Sequence, residues 1–177
     1  MGNIWHDINP KRITPEDFIA VIEISQGSKK KYELDKETGF MILDRILYTS
    51  THYPANYGFI PRTYGDDNDP LDVVVICSEP IDSSTLVRCY PIGVIIMKDA
   101  GKMDEKIIAI PFSDPNYNMY KDISQLPTHI FDEMKHFFSV YKTLEGKETV
   151  VDEVQNRDKA VEIIAGAIDN YIDKFCK

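Results

Sequence analysis

Asp67-Asn68-Asp69-Pro70-Leu71-Asp72-Val73 sets three carboxylates within six residues at the mouth of an apolar run, Val73-Val74-Val75-Ile76-Cys77. Two carboxylates about 4 Å apart repel by roughly 4 kcal/mol at an effective dielectric near 20. Packing three of them beside a buried strand therefore calls for cations, protons or solvent to hold them there. Pro70 lacks a backbone donor and fixes its own φ, so the chain enters the strand stiffly. Hard oxygen donors on a stiff turn suit Mg²⁺ or Mn²⁺ better than Zn²⁺, which prefers nitrogen and sulfur. An EF-hand is excluded, because counting from Asp67 its glycine and glutamate positions hold Asp72 and Ser78. Asp and Asn are also ordinary turn residues, so the segment alone reads more readily as solvated loop than as metal site.

Working outward, 177 residues fit one domain, residues 1–177, with a sizeable core. Twenty basic against 29 acidic residues give a formal charge of −9. That balance disfavours nucleic acid or an anionic membrane as the main partner. Cys77, Cys89 and Cys176 are odd in number and widely spaced, as reduced thiols in the cytoplasm would be. The start, Met1-Gly2-Asn3-Ile4-Trp5-His6, has no basic-then-apolar leader, and no apolar run reaches membrane-span length.

Residues 1–17 read as a polar, turn-rich arm. Phe18 to Ile24 is a strand with Glu23 near its end, either an edge gatekeeper or a functional carboxylate. Lys31 to Leu34 and Phe40 to Tyr48 are the next strands, the latter carrying Arg45. A guanidinium on an apolar face wants a carboxylate or phosphate partner, because it cannot be neutralised. Tyr53 to Pro61 reads as an aromatic loop. Leu86 to Met97 is a long β run in which Pro91 and Gly93 mark a bulge or corner. A second charged turn carries Asp99, Asp104 and Lys106 into the strand Ile107–Ile110. Beyond Pro127 the period becomes helical up to Gly146, and a second helix starts from Asn156 as N-cap. Five or six short strands followed by two helices favour a small barrel over a sandwich.

The strand ends thus gather Glu23, Glu33, Asp67, Asp69, Asp72, Asp99 and Asp104 with Lys31, Arg45, Lys106 and Lys142 and the phenols Tyr53, Tyr57 and Tyr141. Carboxylates that hold divalent ions, beside cations and phenols, suit a small and highly charged phosphate compound. Neither a GxxxxGK[ST] loop nor a GxGxxG fingerprint is present, so nucleotide-binding α/β folds are not supported. A non-catalytic barrel that binds nucleic acid is the main rival, and the net charge counts against it. A nucleotide phosphohydrolase is the second.

Several ordered blocks resemble the soluble family I inorganic pyrophosphatases of the prokaryotic type. They are Glu23 to Ser28 with Lys31-Tyr32-Glu33, Arg45, Tyr53 to Gly58, Asp67 to Val73, Asp99-x-Gly101-x-x-Asp104-x-Lys106, and Phe137-Phe138 with Tyr141-Lys142. The resemblance implies an α+β, mainly β fold: a five-stranded closed barrel like an oligonucleotide-binding fold, flanked by two C-terminal helices. It implies Mg²⁺-dependent hydrolysis of pyrophosphate to two orthophosphates by direct attack of a metal-activated water, with Mn²⁺ as a possible substitute. Asp67, Asp72, Asp99 and Asp104 are the implied metal ligands and Asp69 the general base. Lys31, Arg45, Tyr57, Lys106, Tyr141 and Lys142 are the implied phosphate ligands. Glu23, Glu33 and Tyr53 are implied to orient waters and side chains, and a homo-oligomer, a hexamer by preference, is the implied assembly. Ser25 stands where many members have Pro, and Val150-Val151-Asp152-Glu153 lacks a Trp-containing pattern common in bacterial members.

Overall fold

The structure is a computed structural model and describes residues 2–177. Phe18–Ile24 (β1) is apolar at every position but Glu23 and is buried throughout. It pairs antiparallel on one side with Asn56–Ile60 (β4) and on the other with the start of Leu86–Asp99 (β6). β4 pairs antiparallel with Leu71–Val75 (β5), β5 runs parallel to Lys106–Pro111 (β8), and β8 returns antiparallel to β6. The path β1-β4-β5-β8-β6 therefore closes on itself as a ring of five strands. Lys30–Leu34 (β2) and Met41–Ile46 (β3) form a separate antiparallel hairpin, and Lys102–Met103 (β7) extends the edge of β6.

Alternation along the central strands splits the apolar residues into two cores. Val73, Val75, Ile107 and Ala109 join Phe18, Ala20, Ile22, Val87, Cys89 and Val94 in one of them. The helix Arg157–Phe175 (α3) adds Ala160, Ile164 and Ala167 to that core. Val74, Ile108 and Ile110 face the other way, against Phe131, Met134, Phe137 and Phe138 of the helix Thr128–Val140 (α2). β5 and β8 are thus covered on both faces, which accounts for their unbroken apolar runs. Gly58 permits the tightest crossing in the ring: a Cβ there would lie 1.8 Å from the Val21 carbonyl oxygen.

Several expectations change in the structure. The aromatic stretch Tyr53–Pro61 is half strand, because residues 56–60 pair on both sides despite the flanking prolines. A ninth strand, Thr149–Asn156 (β9), lies between the two helices and adds to β6 outside the ring. Its pairing shifts register at Ile95/Met97, so no clean alternation marks it in the sequence. The proposed corner in β6 is present as a register shift between Pro91 and Gly93. Asn156 caps α3, its side chain accepting from the Lys159 N–H. The N-terminal arm carries a short helix, Ile4–Asp7 (α1), whose Trp5 is buried.

Candidate active site

Parallel pairing of β5 and β8 brings two strand starts to one end of the ring, with Asp72 and Lys106 as partners in register. The Lys106 ammonium lies 2.8 Å from Asp72 Oδ2, 3.1 Å from Asp104 Oδ1 and 2.8 Å from the Tyr57 hydroxyl. Its side chain is 2% exposed. Burial disfavours its charge, but Asp72 leads the neighbours that outweigh burial and hold the ammonium protonated. Asp72 moves the other way: burial raises its pKa against the pull of Lys106. For Asp104 burial is again opposed by Lys106, and here the lysine wins and the pKa falls.

Glu23 reaches the same cavity through a backbone irregularity. Ile22 pairs with Gly58 and Ile24 with Tyr57, so Glu23 is the extra residue of a β-bulge. β1 is no edge strand, which removes the gatekeeper reading. The Glu23 carboxylate accepts from the Leu34 N–H at 2.9 Å and is otherwise buried. Burial first, and the Asp72 charge second, push its pKa up to about 8. The same two causes push Asp67 up to about 7. Tyr53, Tyr57 and Tyr141 are buried or half-buried, and burial drives their ionisation far above neutral pH, so they are available as donors.

These groups surround one cavity of about 530 Å³. Its wall includes Glu23, Lys31, Glu33, Tyr53, Tyr57, Asp67, Asp69, Asp72, Asp99, Asp104, Lys106, Tyr141 and Lys142. Every site residue singled out in the sequence is on that wall except Arg45. The Arg45 Nε is instead 2.9 Å from Glu145 Oε1, and the guanidinium also pairs with its neighbour Asp44. Glu145 lies in the 3₁₀ turn after α2 and satisfies the demand for a carboxylate that the lone Arg created. Two further charged wall residues, Asp35 and Lys36, come from the β2–β3 turn. Lys36 pairs with Asp69 across 33 residues, and no local pattern announces such a contact.

Each lysine on the wall is matched to a carboxylate. Lys106 takes Asp72 and Asp104, Lys142 takes Asp99 at 2.5 Å, Lys31 takes Glu33 at 3.4 Å, and Lys36 takes Asp69. Eight carboxyl groups face four ammonium groups, so full ionisation leaves four negative charges without a counter-ion. Two divalent cations would balance them. The donors are oxygen alone, with no His or Cys on the wall, which fits hard divalent ions. Among the described residues no three acidic, His or Cys side chains are already drawn into a closed ligand set. The lysines explain this, since Lys106 sits between Asp72 and Asp104.

Comparison with known proteins shows the family. The family model described as inorganic pyrophosphatase matches residues 20–172. Soluble inorganic pyrophosphatase 2 of Chlamydomonas reinhardtii is 46% identical over 171 residues, covering 97% of this chain and 89% of the relative. Inorganic pyrophosphatase of Aquifex pyrophilus is 47% identical over 170 residues, covering 94% and 96%. A solved inorganic pyrophosphatase from Helicobacter pylori superposes with a TM-score of 0.86 at 42% identity, over 89% of this chain and 94% of that one. By the family-model match, the sequence identity and the superposition, this chain belongs to the inorganic pyrophosphatase family.

Proposed function

We propose that the cavity hydrolyses pyrophosphate to two orthophosphates by direct attack of water, with Mg²⁺ as the preferred ion and Mn²⁺ as a substitute. Members of this family depend on metal ions. Divalent ions, when bound, supply an activated water and offset the charge on phosphorus-bound oxygens. Asp67, Asp72, Asp99 and Asp104 are the groups that would hold them. The observation that carries the reading is the pairing of every wall lysine with a wall carboxylate. With divalent ions on the carboxylates, the four ammonium groups would be free to donate to phosphate, so each partner of a pair would gain a new counter-charge.

Asp69 projects from the stiff turn before β5 and accepts the proton of the attacking water. The water oxygen bonds to phosphorus, the bridging P–O bond breaks, and the second orthophosphate leaves with the electron pair. Lys31, Lys106, Lys142, Tyr57 and Tyr141 donate to the phosphate oxygens, where fixed donors act on developing charge. Arg45 joins them on leaving Glu145. Glu23, Glu33 and Tyr53 hold these donors and waters in place. No nucleophilic side chain is used, and no covalent intermediate forms.

Orthophosphate release from pyrophosphate across a Mg²⁺ titration, with Asp69→Asn alongside, tests the reading. The expected result is Mg²⁺-dependent release that falls by roughly 100-fold or more in the variant, the scale of a lost general base. ATP in place of pyrophosphate is expected to react far more slowly. Folded wild-type protein that releases nothing with either Mg²⁺ or Mn²⁺ would end it.

A cytoplasmic location is part of this proposal, and the three free cysteines support it. Among the described residues no helix is long and apolar enough to cross a membrane. A homo-oligomer, with a hexamer favoured, is the proposed assembly. The exposed Phe40, Leu43, Ile46 and Tyr48 around β3 support a self-association surface, and light scattering in solution decides the number of copies.

A further inference from the structure

We propose that the N-terminal arm is a working part of the active site, with Trp5 setting the position of Asp69 through two separate routes. The first route is Lys36. Its ammonium pairs with Asp69 and stands over the Trp5 ring, 5.5 Å from the centroid. Its carbonyl accepts from the Asn3 side chain at 3.2 Å, so the arm holds Lys36 by backbone and head group together. The second route is Tyr64, which stacks on Trp5 with ring centroids 6.3 Å apart. The Tyr64 hydroxyl donates to Asn68 Oδ1 at 2.8 Å, on the residue just before Asp69.

Trp5 itself is fixed. It is 5% exposed, its indole N–H donates to the Thr63 carbonyl at 3.0 Å, and its own carbonyl accepts from the Arg62 N–H. The hydroxyl of that same Thr63 accepts from the Leu71 N–H at 2.8 Å, tying the far end of the acidic turn to the same anchor. Asn68 has a φ of 65°, a left-handed conformation that Asn tolerates better than most residues but that gains from an external hold. Lys36 and Asp69 are each about half exposed, so the pair contributes little to stability. Its effect is on direction: the ammonium, pinned over the indole, fixes where the Asp69 carboxylate points. Lys36 and Trp5 are positioning residues. The base role of Asp69 rests on the pyrophosphatase reading above, whereas the mechanical link does not.

Trp5 is the single tryptophan, so the link has an optical readout that needs no turnover. In metal-free protein, Asp69→Asn is expected to release Lys36 and change Trp5 emission. In a Lys36→Met background the same change at position 69 is expected to leave emission unaltered. Emission indifferent to Asp69→Asn in the wild-type background would overturn the link.

Turnover supplies the second arm. Lys36→Met is expected to lower kcat by about tenfold with KM within about twofold, in keeping with a slightly misplaced catalytic group. Lys36→Arg should recover most of that loss. Tyr64→Phe, which cuts only the contact to Asn68, should lower kcat severalfold with the fold intact by circular dichroism. A rise in KM alone for Lys36→Met would make Lys36 a phosphate ligand and sink the positioning role. So would losses that simply multiply when Lys36→Met is combined with Asp69→Asn. Should emission couple as expected while wild-type protein hydrolyses no pyrophosphate, the pyrophosphatase reading fails and the mechanical link stands.

Discussion

Asp72 and Lys106 face each other in register across a parallel strand pair, and their side chains meet at 2.8 Å with the lysine almost wholly buried. Removing one partner of a buried pair leaves the other charge without compensation. Lys106→Met in metal-free protein should therefore cost roughly 3–5 kcal/mol, the usual price of such a break. Saturating Mg²⁺ should recover part of it, since the freed carboxylates gain a new cation. Urea unfolding with and without Mg²⁺ measures both. Equal losses in the two conditions would contradict the exchange of lysine for metal.

Glu23 gives the pH dependence a definite sign. Its folded pKa, about 8, lies above the unfolded value near 4.5, so the folded state holds the proton more tightly. The stabilisation from that proton is complete below pH 4.5 and is lost as pH rises through 8. Metal-free wild type should weaken over that window by a few kcal/mol, on the order of 3. Glu23→Gln should flatten the curve. Urea midpoints at pH 5.5 and 8.5 compare the two proteins, and a wild-type curve that rises with pH would contradict the assignment.

Asp67, with a pKa of about 7 in the absence of metal, is partly protonated at neutral pH. Asp72 is raised as well, by burial. Divalent ions bind the deprotonated groups, so binding should expel protons. Calorimetric titration of Mg²⁺ at pH 6.5 in buffers of different ionisation enthalpy should show net proton release, shrinking by pH 8.5. Heats independent of the buffer would mean that these carboxyls are already ionised.

Two glycines make a matched pair of opposite tests. Gly58→Ala would place a Cβ 1.8 Å from a backbone oxygen of β1 that cannot move without opening the ring. Loss of soluble, folded protein, or destabilisation above about 4 kcal/mol, is expected. Gly166 lies within α3 with nothing within 4 Å of a new Cβ. Gly166→Ala should raise stability by roughly 0.5–1 kcal/mol through helix propensity. Thermal melts of both variants decide.

Legibility in the sequence followed the physics of each residue. Asp67, Asp69, Asp72, Asp104 and Lys106 stood out because charge beside an apolar strand is costly unless something answers it, and the structure brings all of them to one cavity. β1, β6 and β8 were visible as apolar runs buried on one or both faces. β4 was hidden by its prolines, and β9 by two acidic residues and a shifted register. Arg45 pointed correctly to a need for an anion, but Glu145 meets it from a turn one hundred residues away in sequence. Trp5 and Lys36 carried no signal at all, since their contacts depend on how the arm returns to the acidic turn.

Closure of the ring has a consequence for synthesis. Phe18 pairs with Cys89, and the wall is completed only by Tyr141 and Lys142. A ribosome therefore exports Asp67 and Asp72 well before Lys106, the cation that later answers Asp72. For that interval the nascent chain carries an unanswered anionic segment beside an unpaired apolar strand. Long-range pairings of this kind form slowly, so the emerging acidic turn relies on mobile counter-ions of the surrounding solution until Lys106 reaches it.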